Sequence, residues 1–165
     1  NQKNKVEQVE KSPEEKIKEE KICKCKNLWK YDDNNKIICI DGNVCNEGEN
    51  KLLLFDTKKC VGQCPSEYNI QFNNTCYKNE CPEGTKKYTI DDKETCICEN
   101  KWYKYEDKSL KITDIIKCLD ASTECPKDFY PYIDYETKEC LDNIRKCGTK
   151  KIFNNVCYEE CPLNT

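Results

Sequence analysis

Sixteen cysteines, close to one residue in ten, fall into two sets of eight that recur in the same order. Aligning Cys23 with Cys96 matches Cys23, Cys25, Cys39, Cys45, Cys60, Cys64, Cys76 and Cys81 to Cys96, Cys98, Cys118, Cys125, Cys140, Cys147, Cys157 and Cys161. Successive spacings are 2, 14, 6, 15, 4, 12 and 5 in the first set and 2, 20, 7, 15, 7, 10 and 4 in the second. The words between them match as well: CKCKNLWKY with CICENKWYKY, FDTKKC with YETKEC, FNNTCY with FNNVCY. Both tryptophans, Trp29 and Trp102, fall in register. The chain therefore reads as two copies of one unit of about 70 residues. The expected organisation is a charged linker or short helix over 1–22, a first repeat over 23–95 and a second over 96–165.

The cysteines matter because little else can hold such a chain together. Leu, Ile, Val and Phe supply 31 of 165 residues, while 36% are charged. A chain this polar does not bury enough apolar surface to fold unaided. Bridges that restrict the unfolded state take over that role in secreted domains. Zinc fits poorly: there is no histidine and no C-x-x-C pair. The missing C-x-x-C also argues against a thioredoxin-like redox site. The EF-hand pattern is absent, since the acidic stretch at Asp32–Asn35 lacks its glycine and spacing. No cofactor or metal is expected.

With no methionine and no apolar run of membrane-spanning length, the sequence reads as a mature secreted, extracellular fragment that inserts directly in no membrane. Net charge is −3 and evenly spread, summing to zero over 1–22, −1 over 23–95 and −2 over 96–165. No basic face points to nucleic acid.

Within each copy an apolar residue precedes a short polar turn and a cysteine follows, as in FDTKKC, IDDKETC and FNNVC. Asn-Asn and Asp-Asp tolerate the backbone angles of tight turns, and the flanks KIICI, KLLLF and KKYTI favour strands. The expected fold is small, disulfide-rich and mostly β: two tandem repeats of short antiparallel hairpins with irregular loops. Each cysteine is expected early on the return strand of a hairpin. Ser12-Pro13-Glu14-Glu15 carries a helix-start signature and allows a short N-terminal helix.

Catalysis finds few candidates. Nucleophilic chemistry lacks a histidine base and a committed free thiol, and the acids sit in solvated turns, so the chain is not read as an enzyme. The aromatic residues after each C-x-C are the stronger signal. Alternation in WYKY sends Trp102 and Lys104 to one face and Tyr103 and Tyr105 to the other. The tryptophan is expected to be the buried member, leaving Tyr31, Tyr103 and Tyr105 as candidate partner-binding residues, two copies of one aromatic surface. Asn73-Asn74-Thr75 is an N-glycosylation sequon, and the second copy has Val156 where threonine would be needed.

CKCKNLWKY and CPKDFYPYIDYETKEC resemble the cysteine-rich repeats of anaerobic gut fungal scaffoldins, a likeness that covers residues 23–165. It implies a non-catalytic, cohesin-like module that binds the dockerins of plant-cell-wall-degrading enzymes within a cellulosome. The alternative is a cell-surface adhesin, lectin-like domain or receptor ectodomain, for which carbohydrate is a further partner. Cys60–Thr85 is also similar to furin-like, growth-factor-receptor repeats.

Eight cysteines allow 105 pairings. Cysteines two apart rarely bridge each other, so Cys23 and Cys25 are expected to take Cys39 and Cys45, in either order. The register, beginning at one C-x-C and ending after Cys161, predicts that bridges stay within 23–81 and within 96–161. The furin-like resemblance implies Cys60–Cys76, Cys64–Cys81, Cys140–Cys157 and Cys147–Cys161.

Overall fold

A computed structural model describes residues 24–46 and 48–164. The linker or helix expected over 1–22, and Cys23, lie outside the described residues. Among the described residues 41% lie in strands and 3% in helix, arranged as several small sheets fastened by seven disulfides.

Each copy opens on a hairpin, β1 (Leu28–Tyr31) with β2 (Ile37–Ile40) in the first. Its turn is held by Asp32, whose Oδ1 accepts the N–H groups of Asn34 at 2.9 Å and Lys36 at 2.8 Å. A four-stranded sheet follows, from β3 (Leu52–Leu54), β4 (Cys60–Val61), β5 (Ile70–Phe72) and β6 (Thr75–Tyr77). Its order is β4-β3-β6-β5, antiparallel except for the central parallel pair β3 and β6. The β5–β6 turn is Asn73-Asn74, both at positive φ, 48° and 53°. Asparagine reaches that region more readily than other side-chain-bearing residues.

The hairpin β7 (Thr85–Ile90) and β8 (Lys93–Cys98) turns at Asp91-Asp92, again with both φ positive. The second copy then repeats the first. Hairpin β9 (Trp102–Asp107) and β10 (Ile112–Cys118) precedes a sheet of β11 (Tyr132–Asp134), β12 (Cys140–Leu141), β13 (Lys151–Phe153) and β14 (Val156–Tyr158). That sheet has the matching order β12-β11-β14-β13 and the same parallel central pair. A short 3-10 turn, Ile144–Cys147, precedes β13, capped by Asn143.

The bridges run in strict sequence: Cys25–Cys39, Cys45–Cys60, Cys64–Cys76, Cys81–Cys96, Cys98–Cys118, Cys125–Cys140 and Cys147–Cys157. Cys25 takes Cys39, one of its two expected partners, but Cys45 pairs forward with Cys60. The crossed pattern implied by the furin-like resemblance does not form. Strand order gives the reason. Cys60 on β4 and Cys76 on β6 are separated by β3, as Cys140 on β12 and Cys157 on β14 are by β11. Two strand spacings come to about 9.5 Å, beyond the reach of a disulfide at roughly 7 Å between Cα atoms.

The expectation that bridges stay within 23–81 and 96–161 also fails. Cys81–Cys96 joins the end of the first set to the start of the second, beside the β7–β8 hairpin. Cys64 therefore has Cys76, not Cys81, and Cys147 has Cys157, not Cys161. Cys161, expected in a bridge, is exposed and has no sulfur partner among the described residues. Cysteines do come early on return strands at Cys60, Cys76, Cys140 and Cys157, but late at Cys39, Cys96 and Cys118.

Burial is organised around the sulfurs. One cluster joins Leu28, Ile40, Cys45 and Cys60; a second joins Leu54, Tyr68 and Cys76; a third joins Leu141, Cys147 and Cys157. Each tryptophan fastens its hairpin to the neighbouring sheet. Trp29 Nε1 donates to Thr57 O and Trp102 Nε1 to Thr137 O, both at 2.9 Å. Both indoles are half-buried rather than fully enclosed, because that N–H must reach a surface turn.

Candidate functional site

The candidate tyrosines do not form two copies of one surface. On β9, Tyr103 and Tyr105 share a face with ring centroids 6.1 Å apart, while Lys104 lies over Trp102 at 5.9 Å on the other. On β1, Tyr31 instead packs edge-on against Trp29 itself, 5.3 Å away, with Lys59 Nζ 4.3 Å over the Tyr31 ring. Strand pairing explains this. Trp29 faces Cys39 as Trp102 faces Cys118, so Tyr31 occupies the place of Lys104. The additional residue between Trp102 and Tyr105 moves the tyrosine one position along the strand, and hence to the opposite face. Tyr103 also stacks on Tyr130 at 4.7 Å, whose hydroxyl donates to Lys104 O at 2.7 Å. Tyr105 lies exposed beside a cleft of about 560 Å³.

An aromatic feature that does recur lies on the four-stranded sheets. Phe55 follows β3 and Tyr77 ends β6; Tyr135 and Tyr158 are their counterparts. Because β3 and β6 run parallel with Leu54 beside Cys76, the next residues along each strand, 55 and 77, fall side by side. A backbone bond fixes the pairing, Phe55 N–H to Cys76 O at 3.1 Å and Tyr135 N–H to Cys157 O at 3.0 Å. Ring spacing follows strand spacing, about 4.8 Å. The centroids lie 5.0 Å apart in both copies, inclined 34° in the first and 36° in the second. The outer rings are well exposed, Phe55 at 52% and Tyr135 at 64%. This pair was missed in the aromatic reading of the sequence, although the matched words FDTKKC/YETKEC and FNNTCY/FNNVCY contain all four residues.

Charge surrounds each stack. In the first copy Lys58 Nζ sits 4.6 Å over Phe55, and Asp56 accepts the Tyr68 hydroxyl at 2.6 Å with Lys78 at 3.2 Å. The Tyr68 hydrogen bond and the Lys78 ammonium hold the Asp56 carboxyl below the usual carboxylate range. The same bond raises Tyr68 above an ordinary phenol. In the second copy a lysine takes the centre: Lys150 reaches Asp134 at 2.7 Å, Glu136 at 3.0 Å and Glu159 at 3.3 Å. Clefts of about 320 Å³ and about 350 Å³ adjoin the Phe55–Tyr77 and Tyr135–Tyr158 stacks.

The lysine-centred cluster sets a pH dependence. Burial pushes Asp134 up, but the Lys150 ammonium and the Thr137 N–H outweigh it, so its carboxyl lies below the ordinary 3.8. Bonds to Asp134 and Glu136 hold Lys150 above the ordinary 10.5. A depressed carboxylate contributes stability above its unfolded pKa, lost as pH falls through the folded value. A raised lysine contributes stability below its unfolded pKa, lost as pH rises through the folded value. Stability of the second sheet is therefore expected to be flat between about pH 5 and 10 and to fall outside that window. Asp134→Asn should reduce the acid limb to the part that Glu136 contributes, since the bond to Lys150 holds that carboxyl low as well; melting curves from pH 2 to 7 check this.

Asn73 sits differently from a free sequon. Its Nδ2 donates to Ile116 O at 2.7 Å and its Oδ1 accepts from Ile116 N–H at 2.8 Å. The nitrogen a glycan would modify is thus engaged with β10 of the second copy. Seven bridges fit folding in an oxidising compartment. Among the described residues no helix is long and apolar enough to cross a membrane. No protein-family model, curated protein or solved structure matches the chain.

Proposed function

We propose that this chain is a non-catalytic protein-binding module of a secreted, extracellular scaffold, a scaffoldin-like unit that holds the dockerins of plant-cell-wall-degrading enzymes in a cellulosome. The observation that carries the reading is the recurrence of one exposed aromatic stack, with one geometry, on both disulfide-fastened sheets. Aromatic anchors dominate protein interfaces, and rigid presentation lowers the ordering cost of binding. Two such stacks give two docking sites, or avidity toward a bivalent partner. Tyr31 and Tyr105, both exposed, extend the available aromatic surface. The absence of histidine and the commitment of fourteen cysteines to bridges support a role without catalysis.

Titration calorimetry against a dockerin-bearing enzyme tests the reading. Two sites per chain are expected. Phe55→Ala should weaken one and Tyr135→Ala the other, each by roughly 1–2 kcal/mol, with unchanged circular dichroism. A lectin-like reading has its own support, since each exposed ring is followed by a carboxylate, Asp56 or Glu136, an arrangement that suits stacking on a sugar and accepting its hydroxyls. Failure to bind any dockerin, with Phe55-dependent signal on a glycan array, would replace the scaffold reading with that one.

A further inference from the structure

The disulfide loop that opens each copy is where the two copies differ most in length. Cys25 and Cys39 are 14 apart, whereas Cys98 and Cys118 are 20 apart. The added length goes into the β9–β10 hairpin, whose strands run 6 and 7 residues against 4 and 4 in β1–β2. Asp107 shapes its turn: Oδ1 accepts the Ser109 N–H at 3.0 Å, the Ser109 hydroxyl at 2.6 Å and the Leu110 N–H at 3.1 Å. The lengthened turn reaches the first copy, and a cleft of about 530 Å³ lies between them. Residues 109–113 form one wall; Cys45, Asn46, Lys51 and Asn74 of the first copy form the other. Next to Asn74, the Asn73 amide clasps both backbone groups of Ile116 on β10, which fixes the separation of the walls.

None of the nine lining residues is acidic, in a chain whose net charge is −3. The cleft beside Tyr105 differs in this respect, being lined by Glu106, Asp114, Glu139 and Asp142. Two lining residues are lysines, one from each copy. Neither the Lys51 nor the Lys111 ammonium has a hydrogen-bond or ion-pair partner among the described residues. The side-chain amides of Asn46 and Asn74 and the Thr113 hydroxyl are likewise unengaged among the described residues. Lys111 holds its place at φ 53°, a region that lysine enters at a conformational cost. Leu110 and Ile112, both half-buried, supply an apolar strip. Clefts lined by one sign of charge concentrate potential, and a few convergent polar groups around such a volume are the usual make-up of a ligand site.

We propose that this cleft between the copies binds an acidic saccharide. The anionic groups of the sugar take Lys51 and Lys111. Its ring hydroxyls take Asn46, Asn74 and Thr113, and a C–H face lies along Leu110 and Ile112. The unengaged amides and hydroxyl favour a polyhydroxylated ligand over an acidic peptide, whose side chains offer carboxylates but few hydroxyls. A lysine ammonium acts as a compact point charge with rotatable donors, so carboxylate and sulfate suit it alike. Uronic and sulfated sugars therefore share the chemistry. The site needs walls from both copies, so one repeat alone lacks it. It is separate from the aromatic stacks and independent of what they bind.

The test titrates the isotope-labelled full chain with digalacturonate and with a sulfated heparin disaccharide, following backbone amide resonances. Cellobiose and tetraglutamate serve as the neutral-sugar and acidic-peptide comparisons. The expected result is saturable shifts at Asn46, Asn74 and residues 109–113 with at least one acidic sugar, weakened by added salt. Lys51→Gln and Lys111→Gln should each weaken binding about fivefold while leaving the rest of the spectrum unchanged. Lys86→Gln removes the same charge from an exposed position on β7 outside the cleft, and should leave binding unaltered. The proposal is overturned if neither acidic sugar saturates, or if the shifts map to the Phe55–Tyr77 or Tyr135–Tyr158 stacks instead. It is equally overturned if Lys86→Gln weakens binding as much as Lys51→Gln, or if cellobiose or tetraglutamate binds as tightly.

Discussion

Reduction under otherwise native conditions is expected to unfold the protein, while EDTA leaves it folded. The three apolar clusters are each assembled around cystine sulfur, and Cys60, Cys76 and Cys157 are among the most enclosed residues in the chain. Among the described residues no broad apolar layer connects them. Removing one native bridge from a small domain costs roughly 2–5 kcal/mol. A whole domain is commonly stable by about 5–15 kcal/mol, so losing several bridges exceeds the margin. Replacing Cys64 and Cys76 together with alanine removes one bridge from the second cluster and is expected to lower stability by about 2–5 kcal/mol. Tryptophan fluorescence reports the change, since Trp29 and Trp102 both depend on sheet turns for their hydrogen bonds. Native fluorescence in excess thiol, or cooperative unfolding by EDTA with the bridges intact, would contradict this account.

Ile70→Ala is expected to destabilise the protein by about 2–5 kcal/mol, the usual range for truncating an enclosed Ile side chain. Ile70 has 0% exposure and lies on the strand that packs beside β8. The counterpart at its matching strand position is Lys151, exposed and ion-paired with Glu160 at 2.6 Å. Lys151→Ala is expected to change stability by no more than about 0.5 kcal/mol, as exposed pairs contribute little. Denaturant titrations of the two variants measure the difference directly. Equal effects would mean that β5 and β13 are covered alike, against the asymmetry of the two sheets.

The turns were legible in the sequence because their chemistry is local. Asn73-Asn74, Asp91-Asp92 and Asn154-Asn155 all take the positive φ that their residue types favour. The duplication was legible because matched words survive in order. The pairing of sulfurs was not, because it depends on which strands are neighbours. Placing β3 between β4 and β6 separates Cys60 from Cys76, and no spacing along the chain reveals that. The tyrosine surface failed for a smaller reason. Aligning Tyr31 with Tyr105 respects the words, but strands count positions, and the one additional residue turns the ring to the other face. The Phe55–Tyr77 and Tyr135–Tyr158 stacks escaped notice because they join residues about twenty positions apart through a parallel pairing.

Strictly consecutive bridges also govern how the chain responds to being pulled. Each cystine short-circuits the loop it closes, so a stretching force runs through the sulfurs and bypasses the residues between them. Only the intervals between one bridge and the next can pay out, and these span from two residues, Cys96 to Cys98, to seven, Cys118 to Cys125 and Cys140 to Cys147. A seven-residue interval extends by at most roughly 25 Å. Loss of a sheet under load would therefore release a short, fixed slack and then stop at the next covalent link. A tether built this way yields in small steps, and thiols in the surrounding medium set its maximum length.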